Sequence, residues 1–192
     1  KPLRPVIQLG DQADEEEALN AFVYTEDLLA LLKDFKERCH EGVGGGIFLK
    51  GHYGTGKSHL LSFLSQKSSE PGLQLKTSPI SLIRYSSSES LEKITYQSIP
   101  LEKFESEDRN HYFDRYLEHC KQNNLKGFMV LYDELSEFLK SKESPSQLSE
   151  DIRFLQFLAE YCSHHHSWVI GAIQEDIEGI GHASRETSLK LK

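Results

Sequence analysis

The sequence predicts an α/β fold in which helices cover both faces of a parallel sheet. Short apolar runs alternate with segments whose apolar residues recur at helical spacing, four times in the order helix then strand. The run 127–132 is apolar throughout, which is typical of a central strand covered on both faces. With 192 residues, of which 38% are apolar and 27% are charged, the chain is long enough for one such domain with its own core.

The individual elements follow from apolar periodicity and capping residues. Thr25 is the predicted N-cap of a first helix that ends near His40, after an irregular segment 1–24. The box Ser86–Glu89 predicts a helix start, and Ser106 is the predicted cap of the next helix. Ser144, followed by proline and by glutamine at the third position, predicts another start. The predicted strands are 46–50, 79–85, 127–132 and 168–173.

Composition excludes several classes of protein. The net charge is −8 and no wide basic face is evident, so we expect DNA to be bound, if at all, through other regions. The acidic cluster 11–17 is interpreted as solvated surface. No apolar run approaches the roughly 18 residues of a membrane span, so we expect no membrane partner. Cys39, Cys120 and Cys162 lie far apart on predicted apolar helix faces, which fits buried thiols in a reducing cytoplasm.

One motif dominates the chain. Residues 51–58 read G-x-x-x-x-G-K-S, the loop that cradles phosphates with inward-pointing backbone N–H groups. An apolar strand precedes it and a helical pattern follows, which is the context that this loop requires, and a glycine-rich surface turn is the weaker interpretation. Lys57 is expected to reach the β- and γ-phosphates, and Ser58 to ligate Mg²⁺. The candidate nucleotide-binding residues are Gly51, His52, Tyr53, Gly54, Thr55, Gly56, Lys57, Ser58 and His59.

A second motif lies at the end of the most apolar strand. Asp133 and Glu134 follow that run, 76 residues beyond Lys57. Ligands of parallel sheets sit at the carboxyl ends of the strands, so both carboxylates should face the phosphate loop. Asp133 fits an acid that holds Mg²⁺, and Glu134 a base that polarises a water in line with the γ-phosphate. An Asp-Glu pair alone could be structural; its pairing with the loop favours function.

The remaining candidates leave alternatives open. Gln174 ends the fourth predicted strand, where it either senses the γ-phosphate or caps the strand end, and we favour the sensor. His52 either contacts phosphate or is an exposed loop histidine, and we favour the exposed histidine. Val23 and Tyr24 pack either on adenine or in the core. A second subunit could also supply the positive charge for the transition state. Within this chain, the candidates are Arg84, Arg109, Arg115, Arg153 and Arg185.

Three consecutive histidines, His164–His166, attract attention as a metal site. Adjacent residues on a helix or a strand do not converge on one ion, so we expect the run to end the preceding helix instead. No Ser/His/Asp or Cys/His set with a plausible mechanism stands out.

Taken together, the loop, the Asp133-Glu134 pair and Gln174 resemble the additional-strand P-loop ATPases, close to the AAA+ and origin-recognition-like group. Within that group, the string from Ile47 to Leu61 resembles the large P-loop ATPases of BREX-type bacterial phage-defence systems. The resemblance implies a three-layer P-loop NTPase fold with strand order 5-1-4-3-2. It also implies a second sensor and a helical lid. Because the chain begins at Lys1 and ends at Lys192 within an unfinished pattern, we expect residues 25–192 to be an incomplete core and the fifth strand to lie beyond it.

These observations predict the ATP-binding and Mg²⁺-dependent ATP-hydrolysing core of a larger cytoplasmic protein, acting as a homo-oligomer or within a multiprotein complex. A nucleotide switch or assembly scaffold that does not hydrolyse ATP shares all the binding residues and remains the alternative. A small-molecule or nucleoside kinase would need an arginine-rich lid, and no lid segment is evident. A GTPase would need an N-K-x-D motif, which does not occur in the sequence.

Overall fold

The computed structural model describes residue 9 and residues 26–105, 107–174 and 188–190. Several predictions concern residues outside these ranges: Thr25 as a cap, Val23 and Tyr24 beside adenine, Ser106 as a cap, and Arg185. The helices are α1 (Glu26–His40), α2 (Lys57–Lys67), α3 (Leu91–Ser98), α4 (Arg109–Gln122), α5 (Leu135–Lys140) and α6 (Pro145–Ser163). The strands are β1 (Gly45–Lys50), β2 (Leu75–Ser81), β3 (Gly127–Asp133), β4 (Trp168–Ile173) and β5 (Ser188–Lys190).

The strands form one parallel sheet in the order β2-β3-β4-β1-β5. This order confirms the α/β prediction and matches the 5-1-4-3-2 order that the resemblance implies. The outer position beside β1 is taken by Ser188–Lys190, three residues that pair with Phe48 to Lys50. The expectation that the fifth strand lies beyond Lys192 is therefore wrong. Its three-residue length and polar composition hid it from an argument based on apolar runs.

Each central strand contributes to two apolar cores, one on each face of the sheet. In β3 the side chains of Phe128, Val130 and Tyr132 join the core that α3, α4, α5 and α6 cover. Met129 and Leu131 of the same strand join the core under α1 and α2. All seven residues of β3 are buried. The period of two along a strand explains why the apolar run is continuous, since both faces are covered.

The edge strand β2 and the helix after it differ from the prediction. The structure places the strand at Leu75–Ser81, four residues before the predicted 79–85, and a 3₁₀ turn (Leu82–Arg84) follows it. The helix predicted to start at Ser86 begins instead at Leu91, with the Ser90 side chain accepting from the N–H of Lys93 at 3.2 Å. Polar residues on a partly exposed edge strand weaken the alternation that a sequence pattern detects.

Most other boundaries agree with the sequence. Ser144 caps α6 by accepting from the N–H of Gln147, as predicted, and His164 is the C-cap of that helix. The three cysteines are buried and unpaired. The N-cap of α4 is Asp108, two residues after the predicted Ser106. No helix in the described ranges combines the length and the apolar character that crossing a bilayer requires.

A buried ion pair fixes the serine-rich turn between β2 and α3. The Lys142 ammonium lies 2.9 Å from the Asp151 carboxylate, and both side chains are only 2% exposed. Lys142 also donates to the carbonyl oxygens of Ser87 and Glu89. The other Asp151 oxygen accepts from the N–H of Leu91, at the start of α3, at 2.8 Å. Because each charge contacts both its partner and the main chain, the pair holds the turn and three helices together.

Replacing Lys142 with methionine is expected to lower the free energy of unfolding by about 3 kcal/mol or more, because the Asp151 charge would stay buried without its partner. Lys33→Met provides the matched control, because Lys33 forms an ion pair with Glu37 in which the lysine side chain is 78% exposed and the glutamate side chain is 61% exposed. That change should cost about 0.5 kcal/mol or less. Urea unfolding of the two variants measures the difference. Equal decreases in the free energy of unfolding would show that the buried pair stabilises the fold no more than the exposed pair does.

Candidate functional site

The carboxyl ends of four strands meet at one edge of the sheet. Strand β4 lies between β1 and β3, and the first residue after β1, Gly51, donates its N–H to the carbonyl of Ile173 at 3.2 Å. Ser81 at the end of β2 is in register with Asp133 at the end of β3. The phosphate-loop motif, the Asp-Glu pair and Gln174 therefore share one edge, where parallel sheets place their ligands.

The loop 51–58 is shaped by its glycines. Gly54 and Gly56 have φ of 80° and 86°, a region that costs other residues strain. The Thr55 hydroxyl donates to the His52 carbonyl at 2.8 Å, and a Cβ added at Gly51 would come within 2.5 Å of that hydroxyl oxygen. The loop leads directly into the N-terminus of α2, where unpaired backbone N–H groups and the helix dipole favour an anion.

Lys57 lies within this loop. Its side chain is folded over the loop, and Nζ donates to the carbonyl oxygens of Gly51 at 2.7 Å and His52 at 2.9 Å. The residue is only 9% exposed. The ammonium group is thus held at the mouth of the loop by two main-chain acceptors, with its charge beside the N-terminus of α2.

Asp133 connects the loop to the central strand. It is 4% exposed, and burial raises the pKa of its carboxyl group above the usual range. A hydrogen bond from the Ser58 hydroxyl, the N–H of Glu134 at 3.1 Å and the charge of Lys57 oppose that rise in pKa. These contacts place Ser58, Lys57 and Asp133 at one site.

The Ser58–Asp133 pair fits magnesium. Both side chains offer hard oxygen atoms, and Mg²⁺ is commonly held by one or two protein oxygens together with phosphate oxygens and water. Among the described residues, no group of three or more His, Cys, Asp and Glu side chains is placed to hold a metal ion by itself. The chemistry of this donor set therefore suits an ion that arrives with a nucleotide.

Glu134 has an unusual backbone conformation. It precedes α5 with φ of 60°, in the left-handed region that glycine favours. Burial, followed by the charges of Asp133 and Glu137, raises the pKa of its carboxyl group. The side-chain amide nitrogen of Gln174 lies 3.5 Å from Glu134 Oε2. The three polar residues that the sequence placed at these two strand ends are therefore neighbours.

The other loop candidates differ in exposure. His52 and Tyr53 are exposed, and Tyr53 is 77% exposed, which agrees with our interpretation of His52 as a surface residue. His59 is half-buried in the first turn of α2, and burial lowers the pKa of its imidazole, so the neutral form is favoured.

The four arginine candidates that the structure describes differ in their surroundings. Arg109 forms a bidentate pair with Glu92, and Arg115 does the same with Glu107. Those two are thus engaged within the α3–α4 region. Arg84 lies in the 3₁₀ turn after β2, and Arg153 is exposed on α6.

Two residues of this site were not predicted. Ser136 is 0% exposed and accepts the backbone N–H of Gln174 at 2.9 Å, and it donates to Glu137 at 3.0 Å. Glu137 in turn lies beside Glu134, and a hydrogen bond between these two acids requires one of them to hold a proton. For Glu137 the signal in the sequence was its spacing from Glu134, because the first turn of a helix starting at Leu135 brings residue 137 back beside residue 134.

The candidate site does not coincide with the cavity on the α6 side of the sheet. A cavity of about 470 Å³ lies between β1, β4 and α6, lined by Phe48, Leu155, Ala159 and Gly171 among others. None of the loop residues 51–58 lines it. We place the candidate site at the loop on chemical grounds, since the cavity walls near β1 are largely apolar.

Comparison with known proteins gives the fold. No protein-family model matches the chain, and no curated protein matches it in sequence. The chain is similar to a structure of Drosophila ORC bound to DNA, with 17% identity and a TM-score of 0.63 over 94% of this chain and 45% of that one. It is also similar to the Aeropyrum pernix ORC2 protein in its ADPNP–ADP complexes, with 16% identity and a TM-score of 0.55 over 79% and 41%. The chain shares the fold of these ORC proteins and spans less than half the length of either.

Replacing Glu134 with glutamine is expected to stabilise the protein when no nucleotide is added. Because the pKa of Glu134 is raised, the folded state holds this proton more tightly than the unfolded chain. Stability from this group is complete below the unfolded pKa of 4.5 and is lost as the pH rises through the folded value. Glutamine cannot ionise, so the variant should match the wild type in stability near about pH 4 and become the more stable of the two as the pH rises toward about 8.

Urea unfolding at several pH values tests this expectation. Glu118→Gln, which removes an exposed glutamate from α4, is the control and should change little at any pH. A gain at Glu134 that does not grow with pH would contradict the assigned cause.

Proposed function

We propose that this chain is the ATP-binding core of a larger AAA+-like ATPase, and that the larger protein hydrolyses ATP with Mg²⁺. The observation that carries the proposal is the meeting of Lys57, Ser58 and Asp133 at the carboxyl edge of the sheet. These residues come from two motifs separated by 76 positions, and no packing requirement calls for a lysine, a hydroxyl and an acid at that edge. The similar ORC2 protein forms complexes with ADPNP and ADP, which supports a nucleotide as the ligand here.

The loop would bind the polyphosphate. Gly54 and Gly56 leave the backbone open on the outer side, since a Cβ added at either position meets no atom within 4 Å. Phosphate oxygens would accept from the loop N–H groups and from Lys57, whose ammonium already lies at the loop mouth. A triphosphate is preferred over a single phosphate because the loop and Gln174 lie at the ends of adjacent strands.

Ser58 and Asp133 would hold Mg²⁺, which supplies charge neutralisation of the phosphates when it is bound. Glu134 is placed to orient and polarise the attacking water, because its carboxyl group lies beside Asp133 and beside Gln174. A raised pKa suits a general base, because a more basic carboxylate accepts a proton from the attacking water more readily. Gln174 would contact the γ-phosphate and keep Glu134 aligned.

The finer predictions concern the whole protein. Assembly as a homo-oligomer or in a multiprotein complex and a role in bacterial phage defence rest on the resemblance in the sequence, and the cytoplasmic location rests on the three separated thiols. The Drosophila ORC structure is a complex with DNA, and because the net charge here is −8 we expect any DNA contact of this protein to lie in other regions. An arginine from a neighbouring subunit would complete the site by stabilising the charge of the transition state.

Lys57→Ala is expected to weaken binding of Mg·ADPNP by about 100-fold or more, because two charge-assisted hydrogen bonds to phosphate are worth about 3 kcal/mol or more. Isothermal titration calorimetry measures the affinity. Lys93→Ala, which removes an exposed lysine of α3, should leave it unchanged. Unaltered affinity in the Lys57 variant would remove the phosphate-loop assignment.

Glu134→Gln in the full-length protein is expected to keep the affinity for ATP within about threefold and to slow phosphate release by about 100-fold or more. The amide fills the same space but cannot accept the proton of the water. Single-turnover assays at several protein concentrations measure the rate, with Glu118→Gln as the control. If the wild-type protein binds ATP and releases no phosphate in any oligomeric state, the proposal of an ATPase is wrong and a nucleotide switch that does not hydrolyse ATP is favoured.

A further inference from the structure

Four residues close a ring of hydrogen bonds where β3, α5 and the end of β4 meet. The Ser136 hydroxyl accepts from the backbone N–H of Gln174 at 2.9 Å and donates to Glu137 Oε2 at 3.0 Å. Glu137 lies beside Glu134, and the two acids share a hydrogen bond when one of them holds a proton. The Gln174 side-chain amide reaches Glu134 Oε2 at 3.5 Å. We call this set the corner ring. It joins the end of the fourth strand to the acid that precedes α5.

The direction of each bond at Ser136 is determined by chemistry. A serine hydroxyl carries one proton and two lone pairs, and a carboxylate oxygen only accepts. The hydroxyl therefore donates its hydrogen bond to Glu137, which turns a lone pair toward the N–H of Gln174. Ser136 is 0% exposed, so water does not replace either partner.

Close packing of α5 on β4 makes this contact possible. A Cβ added to Gly171 would lie 2.5 Å from Leu135 Cδ2, so a larger residue at that point would have to displace the Leu135 side chain. The helix start then sits directly over the strand end. Pairing of β4 with β1 ends at Ile173, and Ser136 supplies an acceptor to the next N–H along the chain.

We propose that Ser136 is a positioning residue that sets the main chain of Gln174, so that its amide reaches both Glu134 and the γ-phosphate. The inference rests on the proposed function, in which Gln174 distinguishes a triphosphate from a diphosphate. Ser136 touches neither nucleotide nor water in this scheme. It acts through the backbone of Gln174, and Glu137 acts by orienting the hydroxyl.

This role has a signature that a purely structural role lacks. Without the hydroxyl, Gln174 loses its main-chain anchor, so the advantage of ADPNP over ADP should shrink while ADP affinity stays the same. One hydrogen bond corresponds to a change of about fivefold in the ratio of the two dissociation constants. The turnover number should fall by a similar factor with little change in KM, because alignment matters most in the transition state.

The experiment compares Ser136→Ala with Ser62→Ala by titration of Mg·ADPNP and Mg·ADP, in full-length protein. Ser62 is the matched control: it is also 0% exposed, and among the described residues its hydroxyl has no hydrogen-bond partner. We expect the ratio to fall about fivefold in Ser136→Ala only, and to be restored in Ser136→Thr. In a Gln174→Ala background, Ser136→Ala should cause no further fall, since the two act on one element.

Each other outcome overturns the inference, and the wild type shows which proposal has failed. If the wild type binds neither nucleotide, the proposed function fails and takes the inference with it. If the wild type prefers ADPNP and Ser136→Ala keeps that preference, only the inference fails. Equal losses for both nucleotides, or additive losses with Gln174→Ala, would reduce Ser136 to a stability residue. Should Ser136→Ala not fold, Glu137→Ala replaces it: the same fall in the ratio supports the inference, and an unchanged ratio overturns it.

Discussion

The buried carboxylate of Asp133 is the constraint around which the edge of the sheet is organised. A carboxylate at 4% exposure is costly unless it is hydrogen-bonded or paired with a positive charge. Its partners come from two places. The loop supplies the Ser58 hydroxyl and the Lys57 charge, and the next residue supplies the N–H of Glu134. The loop and the end of β3 must therefore meet across β4. A slip of β3 by one residue would present Tyr132 instead, so the register of the whole sheet is linked to this group.

Left-handed backbone at Glu134 solves a geometric problem at that same edge. Successive residues of a strand point to opposite faces, so two adjacent acids could not otherwise face one crevice. The turn at Glu134 ends this alternation and allows α5 to begin at Leu135. A conformation with φ of 60° costs a residue with a side chain about 1 kcal/mol or more. The hydrogen bond from its N–H to Asp133 and the contact with Gln174 offset part of that cost.

The parts of the fold that the sequence predicts are those fixed by local chemistry. Ser144 with Pro145 defines the start of α6, and the apolar runs define β3 and β4. The start of α3 depends instead on distant partners. Ser86 and Glu89 do form the expected bond, from the Ser86 N–H to the Glu89 carboxylate at 3.1 Å, yet they close only a turn. Lys142 donates to two carbonyls of that turn and Asp151 accepts from the N–H that opens the helix, so a buried pair 53 to 60 positions away decides the boundary.

The same division applies to the candidate site. Residues 51–58 and the Asp133-Glu134 pair are contiguous motifs, and their meeting follows from the sheet order alone. The corner ring requires in addition that α5 approach β4, which no spacing between polar residues expresses. One residue does record it. Gly171 interrupts an otherwise apolar strand, and a glycine inside a strand marks a close approach of another segment. Because Leu135 fills that space, the glycine is the trace in the sequence of the contact that brings Ser136 to Gln174.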